Sequence, residues 1–339
     1  MMRKILILSL MLITAFTLTA CNDDELPENS VFVTTYPVKF LVEEIGKGIV
    51  NVQFVPGSQQ HGESIDWAAK DIIAMQDSDF LFYVGAGVDP YIDVNIDSTF
   101  KNQNVQLVKM ENYLDILHVH MIHDHDDHDD HDDHDDHDDH DDHNDHDDHD
   151  DHDDDHDTEL MPDPHFWLDV SRMMEAASVI RDYLLLQYPD DAQKIESNFT
   201  VLDKQLEKLH EDFQNALSSP NRPIITNVKL FSYFEDAYNL DIRPFTLNTH
   251  AHEDESIPTD FEDFIHLAEN YDIKYVVFEK NAVSPAGETL LSELRKHNPD
   301  TDRLTLHNLE MLTFEEIQVN KNYINIMYDN LETLIKAIE

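Results

Sequence analysis

Imidazole and carboxylate groups recur in this chain at spacings that suit a divalent cation. From His123 to Asp157, a run of 35 residues holds 12 His, 22 Asp and the single Asn144. Its histidines are His123, His125, His128, His131, His134, His137, His140, His143, His146, His149, His152 and His156. Imidazole is the commonest protein ligand for zinc, copper and nickel, and carboxylates add charge and weaker oxygen donors. The run contains no apolar side chain, so it has nothing to bury against the entropy of ordering itself. It reads as a disordered, metal-binding tether attached to some other fold. A purely solvating loop is the plainer alternative, but Asp alone would serve that purpose.

Outside the tract, a second set of donors sits where strands end. His61 follows an extended run in Val55-Pro-Gly-Ser-Gln-Gln-His61. His165 opens a helical stretch in Pro162-Asp-Pro-His165-Phe-Trp-Leu-Asp169, and Glu279 follows the run Val276-Val-Phe278. His250 and His252 follow a run ending near Leu247. Imidazoles with one carboxylate make a good zinc site and a passable manganese site. Taken singly, each has an ordinary explanation: a loop histidine is more often not a ligand, and Glu279 could be a helix-start charge favoured by the dipole. Glu63 and Asp163 read as solvated or supporting groups rather than ligands.

The elements that would position these donors alternate between β-branched runs and amphipathic stretches, the βαβ pattern of parallel sheets. Val31–Thr35, Val50–Val55, Phe80–Val84 and Val105–Met110 read as strands. Helices are expected from Pro37 to about Lys47 and from Asp66 to Gln76. After the tract, Asp169 is placed as the N-cap of a helix to about Tyr188, followed by a second from Ala192 to about Leu217. Pro223–Asn227, Ile242–Leu247, Tyr275–Phe278 and Arg303–Leu306 form a second strand series, and Tyr323–Ile338 is a closing helix. The expected fold class is α/β: two lobes, each with a roughly four-stranded, mostly parallel sheet, joined by a long backbone helix. Ligands of open α/β sheets bind beyond the carboxyl ends of the strands, which puts the expected metal site in the cleft between lobes.

The expected division is a lipoprotein signal peptide at 1–20, a tether at 21–30 and an N-terminal lobe at 31–117. The His/Asp-rich loop follows at 118–160, then the lead-in and linking helix at 161–197 and a C-terminal lobe at 198–339. The signal peptide rests on Arg3 and Lys4 before the short apolar run Ile5–Leu18. Leu18-Thr19-Ala20-Cys21 resembles the lipobox of bacterial lipoproteins, which implies lipidation at Cys21 and an extracytoplasmic, membrane-anchored protein. Cys21 is the only cysteine, so no internal disulfide or thiolate metal site is available. The formal charge is −50, of which the tract's aspartates supply −22. The remaining −28 still excludes the basic footprint of nucleic-acid binding and favours cationic partners.

Several strings together resemble the zinc/manganese solute-binding lipoproteins of bacterial ABC importers, a cluster that includes zinc-uptake and adhesin lipoproteins. They are Val33-Thr-Thr-Tyr-Pro37, Phe80-Leu-Phe-Tyr-Val-Gly-Ala-Gly87 with Pro90, Asp163-Pro-His-Phe-Trp-Leu-Asp169, and Phe278-Glu-Lys-Asn-Ala282 followed by Glu288-Thr-Leu290. The resemblance spans about residues 31 to 339. It implies two lobes on one rigid helix, Zn2+ before Mn2+ as the metal, an ABC permease as the partner and a monomer. It carries His61, His165 and Glu279 over as ligands, although Gln60 stands where the family has Pro. The family's third imidazole falls in a Ser-His-X-Ala-Phe-like string, and this chain reads Asn227-Val228-Lys229-Leu230-Phe231 there. Valine cannot ligate. Water, His250, His252 or a tract histidine is left to fill the position.

The leading expectation is therefore a transport receptor that captures zinc and delivers it to a permease. A surface metal-storage protein or adhesin without a transport role is the alternative, as is a manganese receptor. A metallohydrolase is the enzyme alternative, since three protein ligands and a water is the catalytic zinc pattern. No general base aimed at the donors is evident, so a non-enzymatic role is expected.

Overall fold

The structure, a computed structural model, describes residues 26–59, 64–121, 159–219, 222–246 and 261–339. The expected signal peptide with Cys21, the ligand His61 with Glu63, the His/Asp tract, and His250 and His252 lie outside the described residues. The chain divides into two compact units. The first holds residues up to Leu114 with Glu175–Lys204 and Glu310–Leu312; the second holds Asp115–Met174, Gln205–Leu309 and Thr313–Glu339.

In the first unit β1 (Ser30–Val33), β2 (Asn51–Phe54), β3 (Phe80–Tyr83) and β4 (Gln106–Lys109) form a parallel sheet in the order β2-β1-β3-β4. The burial of each strand follows from its place. Central β1 and β3 are covered on both faces, and Ser-Val-Phe-Val and Phe-Leu-Phe-Tyr are buried throughout. Edge strands β2 (Asn-Val-Gln-Phe) and β4 (Gln-Leu-Val-Lys) each carry two polar residues and stay partly exposed. Helix α1 (Tyr36–Ile45) has Pro37 in its first turn, where no hydrogen bond is lost, and it buries Val38, Leu41, Val42 and Ile45. Helix α2 (Ala69–Gln76) starts three residues later than expected from Asp66 and buries Met75. One core gathers Phe32, Val55, Met75, Leu81, Tyr91, Ile92 and Phe100.

The sheet reverses its direction of growth between β1 and β3, and that switch point is tied by one buried carboxylate. Asp89, just before the short helix α3 (Pro90–Asp93), is 1% exposed. Its Oδ2 accepts from Thr34 Oγ1 at 2.6 Å and from Val84 N at 2.7 Å, and its Oδ1 accepts from Gly85 N at 2.7 Å. Gly85 has φ +82°, and a Cβ there would meet Lys109 and Glu111, so the residue cannot easily be anything else.

Between the two strand series in sequence, β5 (His118–Met121) and β6 (Glu159–Pro162) pair antiparallel. They take in residues 118–121 and 159–160, the two ends of the segment expected to be an unstructured loop. In the ladder Val119 pairs with Met161 and His120 with Leu160. Two helices follow, α4 (Val170–Gln187) and α5 (Ala192–Ala216), separated by the one-turn 3-10 segment Pro189–Asp191. The two helices expected from sequence are thus observed, separated at Pro189, where a helix interior would lose a hydrogen bond.

The second unit repeats the first sheet's logic. β7 (Ile224–Thr226), β8 (Ile242–Pro244), β9 (Tyr275–Glu279) and β10 (Asp302–Leu306) are parallel in the order β10-β9-β7-β8. Helices α6 (Ser232–Tyr238), α7 (Phe261–Tyr271), α8 (Pro285–His297), α9 (Phe314–Gln318) and α10 (Tyr323–Ile338) complete it. Ile225, Phe245, Ile273, Val276, Phe278, Leu290 and Leu294 share one core. The α/β class with two parallel four-stranded sheets and long helices agrees with the sequence expectation. The closing helix has the bounds read from its periodicity.

Replacing Asp89 with Ala would strand three buried donors. The expected cost is on the order of 3 kcal/mol, since each unsatisfied buried group costs about 1–3 kcal/mol. Hydrogen exchange at the Val84 and Gly85 amides should accelerate in Asp89→Ala, and its urea midpoint should fall. Unchanged protection at both amides would show that the carboxylate does not hold this switch point.

Candidate metal centre

The second sheet also has a switch point, between β7 and β9, and Glu279 stands on it. Glu279 is the last residue of β9, not the first residue after it, and it is 5% exposed. The next helix, α8, begins at Pro285 with Ser284 as its N-cap, so Glu279 is not a helix-start charge. A carboxylate buried this deeply must be met by donors. Its own backbone N–H donates to Asn227 Oδ1 at 2.9 Å, which fixes the strand end to the turn after β7. Its Oε1 accepts from Asn308 Nδ2 at 2.9 Å. Asn308 is in turn anchored, because its carbonyl accepts from the Trp167 indole N–H at 2.7 Å. Trp167 is fully buried, and its own carbonyl accepts from Tyr323 Oη at 2.6 Å.

His165 lies on the other side of Trp167, two residues earlier. The imidazole packs edge-on to the indole with ring centres 5.3 Å apart. It is 2% exposed, and its Nδ1 sits 2.7 Å from Asp163 Oδ1, which also accepts from His165 N at 3.0 Å. Nδ1 against a carboxylate carries the proton, which places the lone pair on Nε2, the tautomer a metal ligand needs. Asp163 is completely buried, and its Oδ2 has no hydrogen-bond partner among the described residues. The hydrogen bond from Nδ1 to this buried carboxylate makes the imidazole a stronger donor. Asp163 is therefore a supporting group and not a solvated one.

The loop carrying this pair is pinned from several directions within the unit. Asp163 N donates to Leu117 O at 2.7 Å, and Tyr233 Oη donates to Asp163 O at 2.8 Å. Arg172 lies over the Tyr233 ring and donates to Asp169 at 2.7 Å and Asp236 at 2.9 Å. Residues Phe166–Leu168 form a 3-10 turn, so His165 opens that turn rather than α4 itself. Asp169 does cap α4: its Oδ1 accepts from Ser171 N at 2.8 Å.

A polar cluster extends from Glu279 along the next residues. Lys280 pairs with Glu316 of α9, and Glu316 also accepts from His307 Nε2 at 3.2 Å. His307 Nδ1 accepts from Leu309 N at 2.8 Å, so the ring is neutral, and burial holds its pKa below the usual value. Thr313 and Glu316 form a reciprocal capping box. Burial alone would raise the Glu316 pKa. The Lys280 ammonium, the Thr313 backbone N–H and the neighbouring ring outweigh it and pull the value down to about 2.

The structure therefore brings His165 and Glu279 into one unit, linked through Trp167 and Asn308. His61, His250 and His252 lie outside the described residues. Among the described residues, no group of three or more His, Cys, Asp or Glu side chains is gathered around a metal position. Val228 is fully buried, in keeping with its apolar side chain, so it offers nothing to a metal. Sequence reasoning did not single out Asn308, Asn227 or Trp167 as supports. Trp167 stood inside the quoted motif, but nothing in spacing alone pairs Asn308 with a residue 29 positions earlier.

In open α/β sheets, ligands bind at switch points like the one that carries Glu279. Residues 31–337 match the family described as "ZnuA: Zinc-uptake complex component A periplasmic", and the chain belongs to that family. It is 24% identical over 336 residues to the zinc-binding lipoprotein AdcA of Streptococcus pneumoniae (strain ATCC BAA-255 / R6), covering 98% of this chain and 60% of that protein. The chain thus spans about 60% of the length of that relative. The Zn(II)-bound ZnuA-like domain of S. pneumoniae AdcA superposes with TM-score 0.67 at 21% identity, covering 92% of this chain and 99% of the domain. The metal-dependent lipoprotein YcdH of Bacillus subtilis gives TM-score 0.68 at 20% identity, covering 92% and 99%. These likenesses establish the fold.

The Glu316 cluster generates a pH prediction. A carboxylate whose folded pKa is depressed stabilises the fold above its unfolded value and loses that contribution as pH falls through the folded value. The loss here runs from about pH 4.5 down to about 2, and its full size is on the order of 3 kcal/mol. Acid unfolding of Glu316→Gln should be measurably flatter than that of the parent across this window. Parallel curves would show that the cluster contributes nothing that depends on ionisation.

Proposed function

We propose that this protein is the extracytoplasmic zinc receptor of an ABC importer, taking up Zn2+ and handing it to a membrane permease. The observation that carries the reading is the pairing, in a member of the zinc-uptake family, of a buried imidazole already set to the metal-binding tautomer with a buried carboxylate at a switch point. His165 and Glu279 act as ligands in this reading, and His61 joins them by its match to the family's pattern. The ligand standing in for Val228 is water, His250, His252 or a tract histidine. The loop histidines are preferred because a tract histidine must first order a long segment.

The role is capture and release rather than catalysis. Asp163 raises the donor strength of His165, and the donors around Glu279 fix where its oxygens point, so the chain's residues bind and orient the cation. No helix among the described residues is long and apolar enough to cross a membrane. Attachment through a lipid on Cys21 supplies the anchor in this reading, and the His/Asp tract raises the local metal concentration beside the receptor. The acidic surface that remains after the tract is discounted favours approach of cations in the same way.

The decisive measurement uses the full-length chain with all twelve tract histidines changed to Asn, so that weak tract sites do not mask the tight one. Chelator competition should find one tight zinc site, weakened by more than about tenfold in His165→Ala, since even supporting groups cost about 10–100-fold. Unchanged affinity in that variant would remove His165 from the ligand set.

The unmodified tract should add several weaker sites and lose them in mild acid. A free imidazole titrates near about pH 6.5, somewhat higher among so many carboxylates, and only the neutral ring ligates. Calorimetry at pH 7.5 and about pH 5.5 should show the extra stoichiometry vanish at the lower pH. Extra sites that persisted there would point to carboxylates alone.

A further inference from the structure

We infer that the outer face of α9 is the surface by which the second unit docks on the membrane permease. The inference rests on the receptor reading, and it adds where the partner touches the chain.

Three observations carry it. The first is that α9 has its polarity reversed. Phe314 is 73% exposed, Ile317 57% and the following Val319 67%, whereas the one buried residue of the helix is Glu316. A surface helix ordinarily turns its apolar side chains inward and its charges outward. Here the charge is the anchor: Glu316 pairs with Lys280, accepts from Thr313 N and Thr313 Oγ1 at 2.9 Å each, and lies 3.2 Å from His307 Nε2. A helix fastened by a polar network keeps its apolar side chains free, and such a group gathered on one surface marks an interaction site.

The second observation is that this face is held in one conformation. The capping box of Thr313 and Glu316 closes the helix at its start. At its end Asn320, with φ +52°, donates from its N–H to Ile317 O at 3.1 Å, and Lys321 N donates to Glu316 O at 2.9 Å. That pair of bonds is a Schellman motif. A face already ordered loses little further freedom when a partner covers it. The third is place. Lys280 follows β9 and His307 follows β10, so α9 stands at the carboxyl ends of the second sheet, the side on which open α/β sheets exchange ligands. Val283, in the loop that begins with Lys280, is 62% exposed and adds an apolar side chain at that end.

Charge selects the occupant. A second copy of the chain carries the same strong negative charge, −28 even without the tract's aspartates, and is repelled. An anionic lipid surface takes up apolar side chains that are flanked by free Lys or Arg. The two lysines at α9 are already spent, Lys280 on Glu316 and Lys321 on Asp329, and Glu315 is exposed between the apolar groups. What fits is a protein with an apolar pocket and no acidic rim, for which Phe314 is the aromatic anchor. A permease that accepts a cation from this side of the sheet has to touch this end of the unit.

The test is made in cells of the native host and on the purified full-length chain. The variants are Phe314→Ser with Ile317→Ser and Val319→Ser, the single change Ile317→Arg, and Leu186→Ser as a control at an exposed apolar residue of α4. Radioactive zinc uptake at limiting zinc should fall by about tenfold or more in the triple variant, and in Ile317→Arg as well, with the control like the parent. Zinc affinity and melting temperature of the purified proteins should stay as in the parent; Ile317→Arg serves if the triple variant fails to fold. Photoreactive benzoylphenylalanine substituted at Ile317 should crosslink to a membrane transport subunit, identified by mass spectrometry. Adducts to a second copy or to phospholipid would overturn the inference, as would normal uptake in both variants or an equal loss in the control. A parallel loss of zinc affinity would overturn it too, because α9 would then act on the metal rather than on a partner. If deleting the gene leaves zinc uptake unchanged, the receptor reading itself fails, and the inference falls with it.

Discussion

A carboxylate at the end of a central β-strand, almost wholly removed from water, is the constraint around which the second unit is arranged. Glu279 would be costly there without compensation, because desolvating an ionised group costs several kcal/mol unless donors or a cation replace the lost water. Asn308 supplies one donor to the carboxylate, and Asn227 fixes the peptide behind it. Both asparagines are held by main-chain bonds of their own: Asn227 N donates to Val277 O at 3.0 Å, and the Asn308 carbonyl is held by Trp167. The hydrogen bonds around Glu279 do two jobs at once. They offset the burial of the carboxylate, and they fix its position at the strand end.

The same problem is solved twice in one chain. In each unit the parallel sheet changes direction between its first strand and its third, and the loops leaving those two strands diverge. In the first unit Asp89 gathers Thr34, Val84 and Gly85 across that gap. In the second, Asn227 reaches from the turn after β7 to the end of β9. The chemistry differs in a way that matters. Asp89 spends its oxygens on three protein donors, and burial still pushes its pKa up to about 6, so it is a structural carboxylate. At Glu279 the carboxyl group is not the bridging element, because Asn227 has taken that task. At the second switch point a neutral amide does that structural work.

Much of this was legible in the sequence, and the limits have physical causes. Strands buried on both faces, such as Phe80–Tyr83 and Val276–Phe278, announce themselves as continuous apolar runs, and α10 carries an amphipathic period that fixes both of its ends. The motif around His165 was readable because its neighbours, Asp163 and Trp167, lie within two residues and act locally. Asn308 was not readable: its partner is 29 residues away, and an asparagine after a strand has turn-forming explanations that need no partner. The hairpin of β5 and β6 is not legible because each strand is only four residues long and β6, Glu-Leu-Met-Pro, carries no alternation. The break at Pro189, by contrast, is legible, because the first helical period stops at about Tyr188 and the second starts at Ala192. The other donors expected from sequence, His61, His250 and His252, fall on residues that the structure does not describe.

The hairpin bears on how a long polar insertion can coexist with a precisely held site. β6 ends at Pro162, and Asp163 follows at once, so the strand that closes the insertion leads directly into the His165 loop. Closing a loop costs conformational entropy that grows only with the logarithm of its length, about 0.6 kcal/mol for each doubling. Once the four-residue ladder of β5 and β6 has brought the ends together, the number of residues between them has little further effect on the fold. Repeats of Asp and His can then be gained or lost with small energetic consequence, provided the ladder survives. Tyr233 and Arg172 reinforce this separation, because they hold the loop through Asp163, Leu117 and Asp169, and none of these belongs to the tract. The geometry of His165 is thereby insulated from the length of the insertion eight residues before it.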